Sequence, residues 1–122
     1  MTTRESYAHF GAMLRDYRES FGDRAHERDP RIPRGVKLSA AGLVDSLGDA
    51  NYPISPSTLS EIESGTSIPL RGGEFIKAVC EVLYLDVPGP EWRALTLQLA
   101  RDVVRARLGQ EIANLAIPDV WS

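Results

Sequence analysis

Apolar residues first recur with a helical period between Phe10 and Phe21. Phe10, Met13, Leu14, Tyr17 and Phe21 form one continuous stripe of a 3.6-residue repeat. The stripe predicts a first helix over about Arg4–Phe21, with Thr2 and Glu5 at capping-box spacing and Gly22 as its stop. From Gly22 to Lys37 the periodicity disappears. That stretch holds Pro30, Pro33 and the basic residues Arg24, Arg28, Arg31, Arg34 and Lys37, and it reads as a long loop.

Periodicity returns at Ser39, a suitable N-cap for a short second helix through Leu47 with Ala41, Val44 and Leu47 inward. Gly48–Ile54 is a turn, marked by Asp49, Asn51 and Pro53. Ser55-Pro56 opens a third helix, because a serine cap precedes a proline at the first helical position, where the missing N–H is harmless. It runs to Ser64, and Gly65 supplies a left-handed cap. Past Pro69 a fourth helix turns Phe75, Ile76, Val79, Val82 and Leu83 inward, and places Cys80 on or near its inner side. Pro88-Gly89-Pro90 breaks the chain before a fifth helix over about Pro90–Leu108. No strand alternation and no internal repeat occurs, so the expected class is all-α with five helices.

The fifth helix carries two apolar stripes. Trp92, Leu95, Leu99, Val103 and Ala106 lie on one side, and Leu97, Ala100, Val104 and Leu108 roughly opposite. A helix apolar on both sides is normally buried on both. One stripe packs on the domain. The other predicts a homodimer interface through Leu97, Val104 and Leu108, which Ile112 and Leu115 would extend; the alternative is that the tail Ala113–Trp121 folds back over it. Residues 1–87 are thus read as the functional domain and 88–122 as a helical extension for dimerisation.

Composition adds bounds. The chain has 122 residues, 43% of them apolar and 25% charged, enough for one core but not two. No apolar run is long enough to span a membrane, the N-terminus does not read as a secretory signal, and the lone Cys80 has no internal disulfide partner. A cytoplasmic location is expected. The net charge is −3, unevenly spread: residues 1–37 carry eight basic and six acidic groups, residues 38–90 two basic and seven acidic, and residues 91–122 four of each. A phosphate-binding surface must therefore draw mainly on the N-terminal third.

The segment Leu38–Gly65 carries a motif. Leu38-Ser39, Leu47-Gly48 and Ser55-Pro56-Ser57-Thr58-Leu59-Ser60-Glu61-Ile62-Glu63-Ser64-Gly65, with Pro69 beyond, resemble the core of the lambda-repressor-like helix-turn-helix family, the Xre or Cro/C1 type. The likeness extends back to Leu14-Arg15-Asp16-Tyr17-Arg18 and forward through the fourth helix. Two departures stand out: a lengthened link Gly22–Lys37, and a turn lengthened by Asp49–Pro53.

The resemblance implies a sequence-specific transcriptional regulator, a repressor in the commoner case. It would bind double-stranded DNA as a dimer whose third helices enter successive major grooves about 34 Å apart. By the same resemblance Pro56, Ser57, Ser60 and Glu61 face the bases, and Arg18 pairs with Glu63 to lock the third helix to the first. Chemistry agrees in part: serine meets any base edge, and glutamate accepts from cytosine N4. Ala40 stands where the family often has a polar phosphate contact, so phosphates fall to Arg28, Arg31, Arg34 and Lys37, with backbone N–H groups at the helix starts capped by Ser39 and Ser55. The bland alternatives are a solvated helix face and an ordinary solvated loop, whose own acids are Asp23, Glu27 and Asp29.

No catalytic arrangement stands out. His9 and His26 lack Cys/His spacing for zinc, and Arg71-Gly72-Gly73 lacks the lysine and spacing of a phosphate loop. No enzyme activity, metal, cofactor or small-molecule ligand is expected. The competing function is a protein-interaction module or antitoxin-like accessory factor that meets a basic partner through the acidic stretch 38–90.

Overall fold

Tertiary contacts, more than stripe periodicity, decide where the first helix stops. In the computed structural model, which describes residues 7–108 (the Leu108 side chain excepted), α1 spans Ala8–Glu19 and α2 spans Phe21–Arg28. Next come α3 (Ala40–Asp49), α4 (Pro56–Ser64), α5 (Gly72–Val82) and α6 (Pro90–Leu108). Among the described residues there is no strand, and the fold is all-α, with six helices instead of the expected five. The Thr2/Glu5 pair, Ile112, Leu115 and the segment 113–121 lie outside the described residues.

The additional helix, α2, falls in the stretch expected to be a loop. The chain bends at Ser20, and Arg24 secures the bend. Its guanidinium donates to Tyr17 O, to Ser20 Oγ at 2.8 Å and to Leu83 O at 2.8 Å, joining the ends of α1 and α5. Gly22 is therefore no helix stop. It lies buried in the first turn of α2, donating from N to Val36 O at 2.7 Å, and a Cβ there would sit 2.4 Å from Arg34 O. The returning segment is ordered by similar bonds: Ile32 N to Asp29 O at 2.9 Å, His26 Nδ1 to Ile32 O at 2.8 Å, and Leu38 N to Arg18 O at 3.2 Å.

The core gathers Phe10 and Leu14 of α1, Leu43 and Leu47 of α3, Leu59 and Ile62 of α4, Phe75, Ile76 and Val79 of α5, then Leu83 and Leu95. Each such burial contributes about 1.5–3 kcal/mol, so these positions fix the helix rotations. On α3 the expected inward face is corrected: Leu43 and Leu47 are buried, Ala41 is exposed and Val44 sits at the edge. The larger pair at i, i+4 outweighs the alanine. α1 packs on α4 and α6, and α5 packs on α3 and α6.

The lengthened turn between α3 and α4 is anchored from within. Asn51 adopts a left-handed φ of 65°, and Tyr52 turns inward to meet the Phe75 ring edge-on at 5.2 Å. The Tyr52 hydroxyl donates to Leu70 O, so the turn is bonded to the link that leads into α5.

On α6, Leu95 is fully buried while Trp92 and Leu99 pack against the core. Asp102 is fully buried as well. Its Oδ2 accepts from Phe10 N at 2.7 Å, and its Oδ1 accepts from Gln98 Nε2 at 2.9 Å and an Arg105 guanidinium nitrogen at 3.1 Å. No described helix is long and apolar enough to cross a membrane.

Candidate nucleic-acid interface

The surface in question is the outward side of α4. Ser55 has the extended backbone of an N-cap, and its Oγ accepts from Thr58 N at 3.1 Å. Pro56 follows at the helix start, and Gly65 ends the helix at φ 87°, a conformation suited to glycine. Leu59 and Ile62 point into the core, which leaves Pro56, Ser57, Ser60, Glu61 and Ser64 exposed. Ser64 Oγ folds back onto Glu61 O at 3.1 Å, whereas the Ser60 hydroxyl and the Glu61 carboxylate make no hydrogen bond among the described residues.

One guanidinium holds this helix in place. Arg18 Nε donates to Glu63 Oε2 at 2.7 Å and its NH2 group to Oε1 at 2.9 Å, a bidentate pair. Its NH1 group donates to Leu38 O at 2.9 Å. Arg18 on α1 thus joins the end of α4 to the residue before the Ser39 cap of α3. Ser39 Oγ accepts from Gly42 N at 2.9 Å and closes the start of that helix. The bond to Glu63 raises the Arg18 guanidinium above its usual range. The expected Arg18–Glu63 contact is present.

Beside α4 runs a groove of about 510 Å³, bounded by Tyr52, Ser55, Thr58, Glu61, Ser67 and Arg71. Leu70, 82% exposed, stands on its rim. Arg71 lies 5.4 Å from the Tyr52 ring centroid and pairs with Glu74 at 2.7 Å. A second cation, Arg15, reaches within 3.6 Å of Glu63 Oε1. Sequence reasoning assigned neither arginine to this surface. In the sequence Arg71 reads only as part of the Arg71-Gly72-Gly73 run, and no sequence signal links it to Tyr52.

No family model, curated protein or solved structure matches this chain.

Of the expected phosphate contacts, Ser39 and Ser55 sit at the starts of α3 and α4 as caps, beside exposed first turns. Lys37 is exposed and unpaired among the described residues. Arg31, 90% exposed, is held by Asp29 through bonds of 3.0 and 3.1 Å, which lower the Asp29 carboxyl below its usual range. Arg34 lies 3.4 Å from Glu27. Arg28 is elsewhere, 5.8 Å from the Tyr84 ring centroid and 3.6 Å from Asp86, past the end of α5. Arg28 thus stands at the opposite end of α5 from Arg71, which borders the α4 groove.

The expected dimer residues fall in three situations. Leu97 lines a shallow apolar groove of about 310 Å³ with Trp92, Thr96 and Ala100. Val104 is half-buried, and the Leu108 side chain lies outside the described residues. Cys80 is buried in the core, and that burial pushes its thiol up to about 11. Among the described residues no His, Cys, Asp and Glu side chains cluster in a way that could hold a metal.

Proposed function

We propose that the protein is a sequence-specific DNA-binding regulator of the lambda-repressor-like helix-turn-helix type, with α3 and α4 as the motif and α4 as the helix that enters the major groove. The observation that carries this reading is the state of α4. Its small polar side chains are exposed, its two ends are capped, and Arg18 fixes it to α1 and to the start of α3. A helix so presented fits a major groove about 12 Å wide. Ser57 and Ser60 would touch base edges without strong preference, and Glu61 would select cytosine through its N4 group. Ser39, Ser55, Lys37, Arg31 and Arg34 would supply phosphate contacts, and α6 would pair two copies through Leu97 and Val104.

A second reading is a protein-interaction module of the antitoxin or accessory-factor kind. It is favoured by the charge balance: Arg28, Arg31 and Arg34 are each engaged by a carboxylate, of Asp86, Asp29 and Glu27, and residues 38–90 carry two basic groups against seven acidic.

Binding of the full chain to a labelled random-sequence duplex, measured by anisotropy across a salt series, separates the two. A regulator loses affinity with a log–log slope of about −0.9 for each phosphate neutralised. Arg31→Ala with Arg34→Ala lowers that slope for every sequence, whereas Glu61→Ala changes base preference in a site selection. Absence of binding at low salt, or a flat salt response, overturns the regulator reading.

A further inference from the structure

We propose that Asp102 on α6 is a positioning residue for the α4 surface, acting through the first turn of α1; the inference rests on the reading of α4 as the contact helix. The first turn of a helix has backbone N–H groups with no partner inside it. In α1, Tyr7 occupies the cap position and supplies no side-chain bond. Asp102 satisfies the Phe10 N–H instead, from a position 92 residues along the chain, and brings a carboxylate to the positive end of the α1 dipole.

The turn that Asp102 holds is the one that abuts the end of α4. Tyr7 N donates to Gly65 O at 3.1 Å. Gly11 lies so close to α4 that a Cβ there would sit 2.4 Å from Glu63 O and 2.5 Å from Ile62 O. A Cβ on Gly65 would in turn meet Ala8 Cα at 2.6 Å. Backbone meets backbone along this seam, with no flexible side chain to absorb a shift. The first turn of α1 therefore moves only with the carbonyls of Ile62–Gly65. The other anchor of α4, Arg18, is also on α1.

Asp102 is suited to set that position. It is 0% exposed, and its second oxygen is held by Gln98 and Arg105 on its own helix. Arg105 Nε is buried with no hydrogen-bond partner among the described residues, and Asp102 Oδ1 is the acceptor that the guanidinium uses. The path from α6 to the α4 surface is thus two contacts long: Asp102 to Phe10, then Tyr7–Gly11 to Ile62–Gly65.

Amide hydrogen exchange on the full chain tests this with Asp102→Ala and Asp102→Asn. Asp102→Ala should accelerate exchange at Phe10 and Ile62–Gly65 on the order of 10-fold or more, while Leu47 in α3 and Val79 in α5 keep their protection. Asp102→Asn retains an acceptor for the Phe10 N–H and should restore part of it. Random-duplex affinity should fall in the same order, read at a temperature where circular dichroism finds every variant folded. Equal acceleration at all core amides, or none at Ile62–Gly65, overturns the inference. If Asp102→Ala does not fold, the contrast between Ile62–Gly65 and Val79 in Asp102→Asn decides. Should the unaltered chain bind no duplex, the α4 reading fails, and the exchange pattern still decides the coupling.

Discussion

Replacing Arg18 by alanine removes three hydrogen bonds at once, two to Glu63 and one to Leu38 O. The side chains of Arg18 and Glu63 are 13% and 5% exposed, so water offers the abandoned carboxylate little compensation. Breaking such a pair from one side destabilises by about 3–5 kcal/mol. Arg15, half-exposed at 3.6 Å from Glu63, supplies partial replacement and sets the expectation near the lower bound, about 3 kcal/mol. With a urea dependence of about 1–2 kcal/mol per molar for a chain of this size, the unfolding midpoint should drop by about 2 M. Arg31→Ala, which breaks a surface pair whose guanidinium is 90% exposed, should leave the midpoint unchanged. Adding Glu63→Gln to Arg18→Ala should recover part of the loss, because the stranded charge is gone. A loss below about 1 kcal/mol, or equal losses at Arg18 and Arg31, would refute the claim that this guanidinium fastens α4.

Other outcomes follow from local geometry. Gly11→Ala should destabilise by about 1–3 kcal/mol in spite of alanine's helix preference, since the new methyl meets the Ile62 and Glu63 carbonyls. Gly73→Ala, with open space around it, should stabilise by about 0.5–1 kcal/mol, and matching urea midpoints for the two would contradict the seam. Ser55→Ala should cost about 1 kcal/mol by uncapping α4, visible in the same titration. Cys80 should resist alkylation at pH 8 until the chain unfolds. Its raised thiol, about 11 against an ordinary 9.0, leaves stability intact below pH 9 and erodes it as pH rises toward 11; thermal melts at pH 8 and 10.5 should differ in that direction.

Where apolar spacing or cap chemistry dominates, the chain was legible. Ser39, Ser55, Pro56 and Gly65 mark α3 and α4 through backbone preferences that need no distant partner. The inward face of α5 is legible because Phe75, Ile76, Val79 and Leu83 repeat over a full helix length. α2 escaped because it has almost no stripe. Among its side chains Ala25 alone is fully buried, and its stability comes from Arg24 reaching the carbonyls of Tyr17 and Leu83. Asp102 escaped for a related reason: an aspartate among arginines on a long helix looks like solvated surface, and only its partner on α1 distinguishes it. On the candidate interface, residue identity marked the exposed positions of α4. It did not reveal that Arg31 and Arg34 have carboxylate neighbours, or that Arg71 stands over Tyr52, because those meetings depend on how the links fold.

The bond from Gly22 N to Val36 O closes the excursion at its neck. Chain beyond that neck pays its closure entropy there, and each doubling of a flexible loop adds only about 0.6 kcal/mol. The exposed step Pro30-Arg31, outside the bonds of Ile32 and the packing of Arg34 on Gly22, is therefore a graft point. A short epitope or a longer basic finger inserted there would hang from the neck without disturbing the helices beneath.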